Sequence, residues 1–168
     1  MQSFTIAVLV RNQFGVLNRV TSMFRRRQFN IESLNVSETE NNEFSRITVI
    51  FSGEELTKEQ LVNQLYKLPD VLSIKELDDR TSVSREVVLI KVENTPDTRR
   101  DILDAAAAFG AVTEDYSRDS IILQLTSKRR KIDEFIELLS DFNIIEICRT
   151  GVCSLERGDA VLRQPINL

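Results

Sequence analysis

The connection Arg11-Asn12-Gln13-Phe14-Gly15-Val16-Leu17 has the residue types suited to holding a small anion. It separates an apolar run, residues 4–10, from an amphipathic stretch, residues 16–27. The first N–H groups of a helix have no intrahelical acceptor and sit at the positive end of its dipole. A turn of this kind can therefore hold a carboxylate or phosphate without a basic side chain. Gly15 would let a ligand approach the backbone, and it would equally serve as a plain turn residue. The residues alone leave both readings open.

Covalent chemistry is hard to build from the rest of the chain. There is no histidine among the 168 residues, which removes Ser-His-Asp, Cys-His and histidine-ligated metal arrangements together. Cys148 and Cys153 match neither a C-x-x-C redox pair nor a zinc knuckle and are expected to be small packing residues. The acidic pairs Glu54-Glu55, Asp78-Asp79 and Glu114-Asp115 lie among polar neighbours and read as solvated charge. Arg25-Arg26-Arg27 ends a helical stretch, where cations suit the dipole. The run Lys128-Arg129-Arg130-Lys131 instead opens one, where each cation opposes the dipole by a few tenths of a kcal/mol. That local conflict makes these four residues a candidate contact for an acidic partner, set against plain solvated charge. A formal net charge of −4 argues against a general nucleic-acid binder or a binder of anionic membranes. No stretch approaches the ~18 apolar residues of a membrane span, and no targeting segment is evident, so a cytoplasmic location is expected.

The elements that must position the turn follow from hydrophobic period. Residues 4–10 read as a strand, and Val16, Leu17, Val20, Met23 and Phe24 share one face of the following helix. Residues 30–38 and 45–51 read as an antiparallel hairpin. Thr57 and Gln60 form a capping-box signature ahead of Leu61, Val62, Leu65 and Leu68, and Pro69 stops that helix before a strand at 71–77. The order is βαββαβ, and it repeats. A strand at 87–92 is followed by Thr95-Pro96-Asp97 as N-cap, first-turn proline and acid, and by a helix ending at Gly110. A hairpin joins 111–116 to 120–126, Ser127 is expected to cap the next helix, and 143–150 reads as the last strand.

The expected architecture is α+β, two consecutive ferredoxin-like domains at residues 1–79 and 80–168, each a four-stranded sheet covered on one face by two helices. Leu68-Pro69-Asp70-Val71 and Leu139-Ser140-Asp141-Phe142 mark matching helix exits and support a duplication. The second copy has no glycine in its counterpart connection, Val92-Glu93-Asn94-Thr95-Pro96, and Pro96 lacks an N–H. Only the first copy has the makings of a ligand site. The strand at 30–38 is expected at a sheet edge, where pairing with a second copy would bring Asn30 and Ile31 of one subunit near the Asn12 turn of its neighbour.

The string RNQFGVLNRVTSMFRRRQFNIESL resembles the opening of the regulatory small subunits of acetohydroxyacid synthase, also called acetolactate synthase. Ser45-Arg46, Arg149-Thr150-Gly151-Val152 and Leu155-Glu156-Arg157-Gly158-Asp159 are also similar to that family, and the first copy resembles an ACT domain. The resemblance implies a non-catalytic subunit that activates a catalytic large subunit and confers feedback inhibition by valine or another branched-chain amino acid. It implies no cofactor in this chain, with thiamine diphosphate, Mg and FAD on the catalytic subunit only. It further implies a homodimer in which Asn12 contacts the effector through its side-chain amide and the backbone from Gln13 through Phe14, Gly15 and Val16 to Leu17 holds its carboxylate. Asn30 and Ile31 would come from the partner subunit. An α-amino acid needs N–H donors for its carboxylate, an oxygen for its ammonium and an apolar wall. The alternative is a stand-alone amino-acid-sensing ACT-domain protein.

Overall fold

The computed structural model describes residues 2–162. Two compact units are present, one made of the chain up to Val83 together with the segment from Val152 onward, the other of Ser84–Gly151. The first contains β1 (Gln2–Arg11), α1 (Val16–Arg26), β2 (Ile31–Glu38), β3 (Phe44–Gly53), α2 (Glu55–Leu65) and β4 (Val71–Glu76). Its antiparallel sheet has the order β2-β3-β1-β4, which places β2 at an edge. Strand alternation sends Phe4, Ile6, Val8 and Val10 of β1 and Ile47, Val49 and Phe51 of β3 toward the helices. There they pack with Val16, Val20 and Phe24 of α1 and Leu61 and Leu65 of α2.

The second unit repeats the order with β5 (Ser82–Glu93), α3 (Arg99–Phe109), β6 (Val112–Tyr116), β7 (Ser120–Ser127), α4 (Arg129–Leu139) and β8 (Ile144–Arg149). Its strands run β6-β7-β5-β8, the same arrangement as in the first unit. Val88, Ile90 and Val92 pack with Ile102, Ile132, Phe135 and Leu139. The βαββαβ duplication expected from the sequence is thus present in both units.

The segment from Val152 departs from the expected 80–168 domain. After Gly151 it forms β9 (Cys153–Glu156), which crosses the helix-free face of the first sheet. The Val152 N–H donates to Ser33 Oγ on β2, Arg46 Nη2 on β3 donates to Ser154 O at 2.7 Å, and Lys75 on β4 pairs with Glu156 at 2.6 Å. Five residues of extended chain reach about 13 Å, close to the three interstrand spacings between β2 and β4. Ala7, Leu9, Thr48 and Ile50, the alternates of the helix-facing residues, are buried on the face this strap crosses.

Helix starts differ from the sequence expectation. The chain enters α2 at Glu54, so Thr57 lies inside the helix and forms no capping box. The acids at 54 and 55 suit the dipole there without it. Thr95 Oγ1 accepts the Thr98 N–H at 3.2 Å, capping a turn that precedes α3, whose own N-cap is Thr98. Ser127 ends β7, and the extended residue at the start of α4 is Lys128. Cys148 and Cys153 are both exposed, so they are not packing residues: each falls on a strand position that points away from the core.

Candidate functional site

The Gly15 turn is built by a short chain of backbone hydrogen bonds. Arg11 N donates to Asp70 O (2.9 Å), Asn12 N to Glu43 O (2.7 Å), Gln13 N to Arg11 O (3.0 Å) and Val16 N to Gln13 O (3.3 Å). Gly15 then takes the left-handed conformation at φ 81° as the N-cap of α1, and no side chain caps the helix. Among the described residues, the N–H groups of Phe14, Gly15, Leu17 and Asn18 have no protein acceptor. These open donors cluster at the positive end of the helix dipole, as an anion requires. Val16 contributes little to them, because its N–H is engaged and its side chain is buried in the core.

A cation stands beside the donors. Arg19, one turn into α1, places Nε and Nη2 on Asp70 Oδ2 at 2.8 and 2.7 Å. A Cβ built on Gly15 would lie 3.5 Å from Arg19 Nη1, so the guanidinium borders the turn. The sequence reading missed Arg19. The only signal was Asp70 in the repeated helix exit, 51 residues away. Phe14 is fully exposed and Leu17 is 41% exposed, two apolar groups beside the open donors with no covering side chain.

Asn12 has a structural task as well. Its Nδ2 donates to Asn42 O at 2.9 Å and to Glu38 Oε1 at 3.1 Å, pinning the β2–β3 hairpin. Asn94 does the same in the second unit, with its N–H on Asp119 O and its Nδ2 on Ser117 O. The two differ at the remaining oxygen. Asn94 is buried and its Oδ1 accepts Arg99 Nε at 2.8 Å, whereas Asn12 is exposed and its Oδ1 has no protein donor among the described residues. The connection in the second unit is closed by its own side chains, and the one in the first is open.

Asn30 and Ile31 are not brought to this turn within one chain. Ile31 pairs with Phe51 at the far end of β2 from Glu38, which pairs with Ser45. Asn30 lines a cleft of about 700 Å³ with Arg27, Gln28, Thr57, Gln60 and Gln64. In the basic run, Arg129 pairs with Asp133 at 3.9 Å, Arg130 with Glu134 at 3.1 Å, and Lys131 Nζ lies 5.9 Å from the Phe109 ring centre. Carboxylates one turn along α4 thus offset the conflict with its dipole. Among the described residues no cluster of His, Cys, Asp and Glu is arranged to hold a metal ion. No helix among the described residues is long and apolar enough to cross a membrane.

Comparison with known proteins agrees with this anatomy. Residues 6–73 match the AHAS small subunit-like ACT domain, and residues 85–158 match the small subunit of acetolactate synthase. An acetolactate synthase small subunit from Bacillus subtilis is 44% identical over 154 residues, covering 91% of this chain and 90% of that protein. One from Mycobacterium bovis is 42% identical over 157 residues, 94% of each chain. The crystal structure of the acetolactate synthase small subunit from Thermotoga maritima superposes with a TM-score of 0.86 at 33% identity, covering 95% of this chain and all of that one. With an ACT domain in the first unit and the small-subunit domain after it, this chain belongs to the acetolactate synthase small-subunit family.

Proposed function

We propose that the protein is the regulatory subunit of acetolactate synthase: it binds and activates a catalytic large subunit and makes it subject to feedback inhibition by valine or another branched-chain amino acid. The observation that carries the effector site is the contrast between the two connections. The first leaves the N–H groups of Phe14, Gly15, Leu17 and Asn18 and the Asn12 oxygen open, while the second is closed by Asn94 and Arg99. The open donors suit a carboxylate, Asn12 Oδ1 suits an ammonium, and Phe14 and Leu17 suit an aliphatic side chain. Arg19 adds a positive charge beside the carboxylate.

In this reading the site is completed by a homodimer formed along β2. An antiparallel pairing of two β2 strands centred between Leu34 and Asn35 sets Ile31 of one copy opposite Glu38 of the other. Glu38 holds Asn12, so Asn30 and Ile31 of the second copy arrive at the turn. Thiamine diphosphate, Mg and FAD belong to the catalytic subunit, and the assembly works in the cytoplasm. The exposed Lys128 end of α4 is a candidate contact for the large subunit. Mixing the protein with purified catalytic subunit and assaying acetolactate formation tests the reading. Stimulation that valine reverses is expected; no stimulation would overturn it in favour of a stand-alone amino-acid sensor.

A further inference from the structure

The helix-free face of the first sheet carries a second cleft, of about 390 Å³, and none of residues 12–17 lines it. Its walls combine three chemistries. Leu9, Leu155 and Leu162 are apolar, Arg46 is cationic, and Glu38 and Glu40 are anionic. Arg46 is the unusual member. It is half-buried, and among the described residues its side chain makes one hydrogen bond, from Nη2 to Ser154 O, while its buried Nε has no acceptor. Burial pushes its pKa below the ordinary value against the opposing pull of Glu156, Cys153 and Glu40. Glu156 is already engaged by Lys75. A half-buried guanidinium whose buried Nε has no acceptor among the described residues is a costly arrangement that an incoming carboxylate relieves.

We propose that this cleft is a second small-molecule site, taking an α-amino acid with an apolar side chain: its carboxylate on Arg46, its ammonium against Glu38 and Glu40, its side chain among Leu9, Leu155 and Leu162. The two carboxylates discriminate against phosphate, which would bring a second negative charge beside them, and against a simple fatty acid, which leaves them without a cation. The size is that of a small-ligand pocket. The wall formed by Leu155 and Leu162 belongs to the returning segment, so occupancy also fastens that segment to the sheet. Glu38 is shared, because its Oε1 accepts the Asn12 amide at 3.1 Å. An ammonium drawn to Glu38 competes with Asn12, and whatever occupies the Gly15 turn must feel the cleft in return. The inference stands independently of the role proposed for that turn.

Isothermal titration calorimetry of the full chain with leucine as probe tests it, using the Gly15→Asp protein, in which the turn is blocked. One saturable class of sites is expected to remain. Leucinamide, which lacks the carboxylate, and 4-methylpentanoate, which lacks the ammonium, should each bind about tenfold or more weakly. Arg46→Met in the same background should weaken leucine about tenfold or more. Glu40→Gln, at an exposed position, should weaken it measurably and keeps the test decisive should Arg46→Met fold poorly. Absence of saturable heat in the Gly15→Asp protein overturns the proposal, as does an affinity indifferent to both Glu40→Gln and loss of the ligand carboxylate. Leucine heat that depends on Arg46 but is the same with or without Gly15→Asp supports the cleft and counts against the turn alone.

Discussion

At Gly15 the backbone sits at φ 81°, a conformation that costs a residue with a Cβ about 1–2 kcal/mol. Gly15→Asp adds that strain and places a carboxylate between the open N–H groups and Arg19, where it acts as a built-in competitor for the effector. Valine inhibition of the holoenzyme should be abolished, and one class of valine sites lost from the calorimetric titration, while stimulation of the catalytic subunit is retained; equal heats from wild type and variant would sink the assignment. The turn was legible in the sequence because a glycine between a strand and an amphipathic helix is a local pattern. Arg19 was not legible. Its meaning depends on Asp70, whose carboxylate is brought to α1 only when β4 pairs with β1. Asn12 was legible as a polar turn residue, but its bond to the β2–β3 hairpin and the contrast with Asn94 required the folded register.

Among elements, the strands were the easiest to read: buried and exposed residues alternate along β5, while β1 and β3, buried on both faces, show as nearly continuous apolar runs. Helix starts were harder. Thr57, Thr95 and Ser127 are the right residue types for caps, yet each chain segment turns into its helix elsewhere. The extended residues Glu54 and Lys128 mark where the backbone enters α2 and α4, with no side-chain cap at either. Helix α2 is tied to β4 by Lys58, whose ammonium pairs with Glu55 one turn back and with Glu76 at 2.6 Å. The Glu55 bond, followed by the Glu76 bond, raises the pKa of Lys58 above its ordinary value. A raised folded-state pKa means the stabilisation is complete below the unfolded value of about 10.4 and is lost as pH climbs through the higher folded value. Urea unfolding of wild type and Lys58→Met should therefore differ by a constant amount between pH 7 and 9, and the gap should shrink above about pH 10.4. A gap that widens with alkalinity would contradict the pairing.

On the scale of the whole molecule, the proposed division of the site between two copies makes a prediction that no single-chain site would share. Gly15→Asp spoils the turn and Asn30→Asp spoils the far end of β2, so neither homodimer should be inhibited by valine. A dimer with one chain of each kind regains one intact site, built from the Asn30→Asp chain's turn and the Gly15→Asp chain's Asn30. Mixed and reannealed chains should recover partial valine inhibition of the holoenzyme; no recovery would place the whole site within one copy. The strap is a second whole-molecule feature, and it was the part of the fold least legible in advance. Cys153-Ser154-Leu155-Glu156 is short, with neither a strong apolar run nor a turn signal of its own, and its partners Ser33, Arg46 and Lys75 are distant in sequence. A chain ending at Gly151 would lack it. Such a chain should bare Ala7, Leu9 and Ile50, bind a hydrophobic dye more strongly than wild type and aggregate on heating at a lower temperature.

The same strap sets an order of events during synthesis. Residues 152–156 emerge from the ribosome after every other strand of both units, so the second unit can collapse as soon as β8 has emerged. The first sheet must then wait with one face bare while the intervening residues are made. The first sheet is therefore most vulnerable in the interval before residues 152–156 emerge. A stop codon near position 151 would release a molecule whose helices are in place and whose other flank is still sticky. Chaperone demand for the first unit should accordingly persist until the strap has emerged.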